Sequence, residues 1–180
     1  IVKSDLTITG FNFIFSHIND NYLKYLDPKK RFLLIFRGIN TDYVDPSTTI
    51  ESDEDKLYKK WNSKRGKKII LLPGRLTTWK GQEMFIESLN LVNKELGHEA
   101  FYAIILGSDQ GSDDYKKKIL RIVEQYRLNN QVRFIDHCTE RPVAYKILEI
   151  VVSASIEQDA FGRVDVDARS MEKPIIPRTS

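Results

Sequence analysis

From Lys67 to the end of the chain, short apolar runs alternate with amphipathic stretches. Ile69–Leu72 is nearly continuous apolar sequence, the form taken by a parallel strand covered on both faces. Gln82–Leu96 then places Phe85, Leu89, Val92 and Leu96 on one helical stripe, and Gly97 supplies a C-terminal stop. Tyr102–Leu106 predicts a second strand closed by Gly107, and Asp113–Arg127 a helix with Tyr115, Ile119, Ile122 and Tyr126 inward. Val132–Ile135, Ile150–Val152 and Ile175-Ile176 predict further strands, with helices over Arg141–Leu148 and Gly162–Met171 between them. Strands alternating with helices at this pitch make βαβ units with right-handed crossovers, so the class is α/β with a parallel sheet.

The first 66 residues follow another pattern. Phe11–Tyr22 predicts a helix, and Arg31–Phe36 an apolar strand ending in the turn Arg37-Gly38-Ile39-Asn40. Asp42–Ser52 is polar and turn-rich. Ser52-Asp53-Glu54-Asp55 then resembles a helix start with acidic residues in its first turn, leading to Trp61. Residues 1–40 therefore read as the tail of another unit, 41–66 as a linker with a helix, and 67–180 as the α/β unit. No repeat and no low-complexity tract interrupts them.

Composition narrows the classes. A chain of 180 residues can bury one sizeable core, and 41% hydrophobic with 29% charged residues describes an ordinary soluble globular protein. A net charge of +3 is too small to argue for nucleic acid, and Lys116, Lys117 and Lys118 read as a solvated helix face. One cysteine, Cys138, excludes an intrachain disulfide and fits a reducing cytosol. No apolar stretch approaches the roughly 20 residues needed to span a membrane, and no signal peptide is expected. A start at Ile1 and a stop at Ser180, just after an apolar run, read as the bounds of a fragment, or of an engineered or degenerate gene product.

Open parallel sheets bind ligands beyond the carboxyl ends of their strands, and Arg75, Gly107, His137 and the loop Ser153–Phe161 fall at such ends. Arg75 and Lys80 stand at the first strand-to-helix corner, each with a glycine beside it, Gly74 and Gly81. Arginine grips phosphate oxygens bidentately and lysine acts as a point charge, while the glycines let a bulky diphosphate approach the backbone. Spacing alone leaves open the plainer reading of solvated loop charges and turn punctuation. A second constellation pairs Asp159 with Asp167, eight residues apart and so roughly 12 Å along a helix axis. That is too far for a close acid–base dyad. Bracketing a helix N-terminus, the two carboxylates could instead accept hydroxyls at the two ends of a ligand whose phosphate sits between them. Taken alone, a helix cap at Asp159 and an exposed charge at Asp167 are the simpler description. No His or Cys spacing supports a metal site around Cys138.

Four blocks, "PGRLTTWKG", "AIILGSD", "VRFIDHCTE" and "VVSASIEQDAFGRVDVDARSMEKPII", occur in the order and spacing of the retaining glycosyltransferases of family four, also called group 1, which the chain resembles. The stretches "SDLTITGFNFIFSHINDNY" and "FRGIN" are similar to that family's exit from its N-terminal lobe into the interdomain linker. The resemblance implies one lobe of a two-lobed GT-B fold, Rossmann-like with helices on both faces and apparently truncated at both ends. Residues 1–40 would end the acceptor lobe, and 67–180 would be the nucleotide-sugar-binding lobe, incomplete at its C-terminus. By resemblance, Arg75 and Lys80 hold the donor diphosphate, Asp159 touches the transferred sugar, and Asp167 takes the ribose hydroxyls. Backbone amides around Phe161, Gly162 and Arg163 face phosphate or sugar, Gly74 and Gly107 border the donor, and His137 follows a strand end where the base is contacted.

The resemblance further implies no cofactor and no essential metal, a nucleotide-sugar donor, and a glycan or lipid-linked acceptor. It implies bacterial polysaccharide or lipopolysaccharide assembly in the cytoplasm, at the inner face of the membrane if the missing lobe makes peripheral contact. No nucleic acid is expected. Phe11, Phe13 and Phe15 would pack within the missing lobe, and Trp79 would shield Lys80 or cover the sheet edge. The chain also departs from the family. Where the family motif is Glu, seven residues, Glu, both ends here are Asp, each one methylene short. Glu172 stands where glycine usually precedes Lys-Pro, so any left-handed requirement there would be strained. Two alternatives remain from the sequence. One is an inactive donor-lobe fragment that only binds a nucleotide. The other is a Rossmann-type dehydrogenase, which lacks its G-x-G-x-x-G at the first turn.

Overall fold

The computed structural model of the chain describes residues 6–22, 25, 31–36, 38, 40, 45–97, 100–109, 111, 113–157 and 162–178. Leu6–Thr9 (β1) and Arg31–Leu34 (β2) pair in parallel, with helix Asn12–Tyr22 (α1) between them in sequence. β1 escapes the apolar pattern because a four-residue Leu-Thr-Ile-Thr segment is defined by its partner rather than by its own run. Phe15 packs on Phe32, with ring centroids 5.2 Å apart, while Phe13 stays half exposed. Arg37 and Ile39 of the expected turn lie outside the described residues.

Glu51–Lys60 (α2) carries Glu51, Asp53 and Glu54 in its first turn and Lys59 and Lys60 in its last, charges that suit the helix dipole. Beyond it, strands and helices alternate: Lys68–Pro73 (β3), Gln82–Leu96 (α3), Phe101–Leu106 (β4), Asp113–Gln125 (α4), Val132–Ile135 (β5), Arg141–Ile147 (α5), Ile150–Ser153 (β6), Arg163–Ser170 (α6) and Ile175–Pro177 (β7). These five strands form one parallel sheet in the order β5-β4-β3-β6-β7. The chain therefore builds outward from β3 in one direction and then from β6 in the other. The order reverses between β3 and β6.

Helices cover both faces, as the fold class requires. α3 and α4 bring Phe85, Ile86, Leu89 and Ile119 against Leu72 and Ile105. On the opposite face Leu57 of α2 and the adjoining Trp61 join Tyr145 of α5 and Ala168 of α6 against Ile69, Leu71 and Val151. Ile69 and Leu71 point one way and Leu72 the other, and none is more than 1% exposed, which is why β3 reads as an unbroken apolar run. The α3 stripe is corrected at its end. Leu96 is 69% exposed, and Asn93 turns inward instead, where its side-chain oxygen accepts a hydrogen bond from Gln131 Nε2 at 3.1 Å. A buried amide is tolerated there because its polar atom has a partner. Among the described residues, no helix is long and apolar enough to cross a membrane.

Candidate functional site at the carboxyl edge of the sheet

Beyond their strands the loops stay stitched together. The Gly74 amide donates to the Leu106 carbonyl at 2.8 Å, Leu76 to Ser108 at 3.0 Å, and Gly107 to Ile135 at 2.8 Å. Backbones come very close at Gly107, where a Cβ would stand 2.1 Å from the Gly74 carbonyl oxygen. No side chain fits between these loops. They floor a cleft of about 540 Å³ on the α5 and α6 side of the sheet. It opens at the carboxyl edge beside the reversal of strand order, the place where open α/β sheets receive ligands.

The two cations of the first corner both line this cleft. Lys80 is only 9% exposed, and its stem lies across Gly74, whose Cβ would come within 3.2 Å of Lys80 Cδ. Its ammonium donates to Ser155 Oγ at 3.4 Å and sits 4.3 Å from the centroid of the Trp79 ring. The Arg75 guanidinium carbon lies 5.8 Å from the same centroid. Gly81, at φ 73°, ends the 3₁₀ turn Thr78–Lys80, and a Cβ there would overlap the Ala154 carbonyl oxygen at 2.0 Å. The turn can thus close on the loop after β6, where the Ile156 amide donates to the Trp79 carbonyl at 2.7 Å. One glycine makes room for the lysine stem, and the other lets two loops meet.

Gln82 fastens the corner from behind. Fully buried, it donates through Nε2 to the Arg75 carbonyl at 2.8 Å and accepts from the Tyr115 hydroxyl at 3.2 Å. Burial, with the nearby Glu83 charge, pushes the Tyr115 hydroxyl up to about 12, so it stays a donor across the working pH range.

The far wall is α5 and the start of α6. Gly162, at φ 58°, caps α6, and Arg163, Val164 and Asp167 face the cleft. The amides of a first helical turn have no partner within their own helix and carry the positive end of its dipole. Asp167 is nearly buried, with Arg141 Nη1 at 3.8 Å and Arg163 Nε at 3.9 Å from its Oδ2. Burial raises its carboxyl above the usual carboxylate range, and the two guanidiniums pull it part of the way back. Tyr145, buried beside this pair, has its hydroxyl pushed far up by desolvation and then by the Asp167 charge. Burial raises the Cys138 thiol too, with the Glu140 charge adding to it, so this cysteine is not held as a thiolate.

Of the residues singled out from sequence, Gly74, Arg75, Lys80, Gly107, His137, Arg163 and Asp167 line the one cleft, and Gly162 caps the helix at its wall. Asp159 and Phe161 lie outside the described residues. Sequence reasoning missed Gln82, Arg141 and Tyr145, and reached Ser155 only as part of the loop Ser153–Phe161. A glutamine directly after Gly81, at the first position of an apolar helix, was the one available signal. The other three acquire their places through tertiary contact. Among the described residues, no group of three or more His, Cys, Asp or Glu side chains could hold a metal ion.

Comparison with known proteins bears on the same region. The family model described as glycosyl transferases group 1 matches residues 53–178. A glycosyltransferase from Rickettsia africae superposes with a TM-score of 0.82 at 29% identity, covering 98% of this chain and 45% of that one. HepE from Anabaena, solved in complex with UDP and glucose, gives 0.79 at 22% identity over 97% of this chain and 44% of that one. The C-terminal domain of the group 1 family protein LpcC from Francisella tularensis gives 0.63 at 25% identity over 78% of this chain and 70% of that one. The chain thus spans under half the length of the first two of these structures. A search of curated proteins found no match.

Proposed function

As the chain belongs to the group 1 glycosyltransferases, we propose that it is the donor-binding part of a retaining enzyme that moves a hexosyl group from a nucleoside-diphosphate sugar to a saccharide or lipid-linked acceptor. The observation that carries this reading is convergence: Arg75, Lys80, Arg163 and Asp167 meet in one cleft beside the switch in strand order. Arg75 and Lys80 take the diphosphate, and Asp167 the ribose hydroxyls. His137, exposed at the end of β5, borders the base. Asp159 reaches the transferred sugar, and the amides about Phe161, Gly162 and Arg163 receive phosphate or sugar oxygens. Gly74 makes room for the Lys80 stem, and Gly107 lets the loops after β3 and β4 close up at the floor of the site.

The chemistry follows from charge. As the glycosidic bond to phosphate breaks, negative charge gathers on the departing diphosphate. Two fixed cations and a helix N-terminus aimed at that charge stabilise the transition state without a metal ion. The leaving phosphate oxygen takes the acceptor's hydroxyl proton while the new bond forms on the same face, so no separate protein base is required. We place the reaction in bacterial polysaccharide or lipopolysaccharide synthesis, in the cytoplasm at the inner face of the membrane. Isothermal titration with UDP, GDP and ADP tests the donor site. Binding of one of them is expected, and Arg75→Ala should weaken it by about 1.5–3 kcal/mol, the range of a charge-assisted hydrogen bond. A folded chain that binds none of the three would remove this reading.

A second reading, a lobe that binds a nucleotide and catalyses nothing, is favoured by one observation. Asp167 is one methylene shorter than the family's Glu and is flanked by two guanidiniums. Asp159→Glu with Asp167→Glu should tighten nucleotide binding if short reach is the defect. Unchanged affinity would count against that explanation.

A further inference from the structure

The same indole carries both cleft cations. Lys80 Nζ lies 4.3 Å and Arg75 Cζ 5.8 Å from the Trp79 ring centroid, each within reach of a cation–π contact. We infer that Trp79 is a positioning residue for the diphosphate: its ring holds both the guanidinium and the ammonium, set for two phosphates at once. This rests on the donor-site reading above and assigns to it a residue that touches neither phosphate nor sugar.

Two like charges brought to one site repel each other, and a nearly buried ammonium has also lost water. The negative face of an indole offsets both effects where a carboxylate would compete with the ligand for the same cations. The backbone that carries the ring is itself held. Trp79 lies in the turn Thr78–Lys80, its carbonyl accepts from the Ile156 amide at 2.7 Å, and it is half-buried. Arginine and lysine lose rotamer freedom when they grip a ligand, and contact with a fixed ring removes part of that loss beforehand. The Lys80 ammonium is further fixed by Ser155 Oγ, and the Arg75 backbone by the bond its carbonyl accepts from Gln82. Trp79 thus contacts both side-chain heads, and its loss should be felt most by a ligand that uses both.

The test compares Trp79→Phe, which keeps an aromatic face, with Trp79→Leu, which keeps apolar volume alone. Inorganic pyrophosphate, UDP and UMP are titrated into the whole chain, with thermal melts to check the fold. Trp79→Leu should weaken pyrophosphate and UDP about three- to thirtyfold, and UMP distinctly less, so that the preference for diphosphate over monophosphate shrinks. Trp79→Phe should recover most of the loss. Three outcomes would overturn the inference: Trp79→Leu binding pyrophosphate like the wild type, Trp79→Phe losing as much as Trp79→Leu, or UDP and UMP falling by the same factor. A wild-type chain that binds neither pyrophosphate nor any nucleotide would instead remove the donor site itself, and this inference with it. Should the leucine variant not fold, Trp79→Met takes its place, and the same three outcomes decide.

Discussion

At the scale of single residues, Asp167 shows stability and function pulling apart. Its carboxylate is 7% exposed, and neither guanidinium comes closer than 3.8 Å, longer than a hydrogen bond, so burial outweighs attraction and the carboxyl is raised. A raised folded value means that folding favours the protonated form. This group's contribution to stability is therefore present below the unfolded carboxylate range and is lost as pH rises through the folded value. Asp167→Asn should raise the melting temperature near neutral pH, and the gain should vanish near about pH 3.5, where the wild-type carboxyl has taken up its proton. Nucleotide affinity should fall in the same variant. Thermal melts at the two pH values decide it, and a lower melting temperature at neutral pH would show that the guanidinium contacts dominate. A buried carboxylate kept at such a cost fits a residue held for binding. Arg75, Lys80 and their glycines were legible in the sequence because charge beside glycine at a strand end is a local pattern. Arg141 and Tyr145 were not, since they face Asp167 only once α5 and α6 share a face of the sheet.

At the scale of elements, three helices end alike. Asn62, Arg127 and Glu172 have φ of 48°, 57° and 55°, and each follows its helix in the left-handed position usually given to glycine. At α6, the Glu172 amide donates to Arg169 O at 3.0 Å and the Lys173 amide to Ala168 O at 2.9 Å, a Schellman closure. At α4, the Arg127 amide bonds Glu124 O and Leu128 bonds Val123 O, both at 2.9 Å. The left-handed requirement at Glu172 was legible only through the family resemblance, which puts a glycine before Lys-Pro. The exit at Arg127 was not, since arginine is a good helix former, and the helix predicted to Arg127 stops at Gln125. Glu172→Gly should therefore stabilise the chain by about 0.5–1 kcal/mol, the left-handed penalty less the entropy of glycine in the unfolded chain. Asn62→Gly should do less, because asparagine already tolerates that region. Urea unfolding of the two variants checks the order, and equal gains would mean that backbone strain is not what distinguishes them.

At the scale of the molecule, alternating strands and helices were enough to read an α/β class, but not where the sheet would reverse. Right-handed crossovers leave several strand orders open, and packing between faces selects this one. The outcome gathers charge from loops far apart in sequence. Arg75, Lys80, Arg141 and Arg163 border a cleft whose acids, among the described residues, are Asp136 and Asp167, in a chain whose net charge is +3. A ligand drawn there by charge must also be released by salt. At about a hundredfold excess over its dissociation constant, the tightest of UDP, GDP and ADP should stabilise the chain by about 2.7 kcal/mol. For a domain of this size that is a rise of about 5–10 °C in melting temperature. The screening length falls from about 10 Å at 0.1 M salt to about 3 Å at 1 M. At one fixed nucleotide concentration, the rise should therefore shrink severalfold between those conditions. The ligand-free chain should barely move over the same range. Its pairs such as Lys56–Asp53 at 2.6 Å and Lys118–Glu83 at 2.7 Å lie in solvent, where ion pairs add little to stability. Melts with and without nucleotide at both salts separate the two effects. A nucleotide shift that survived high salt undiminished would mean that base and ribose contacts hold the ligand, and that the cations gathered by this topology do not.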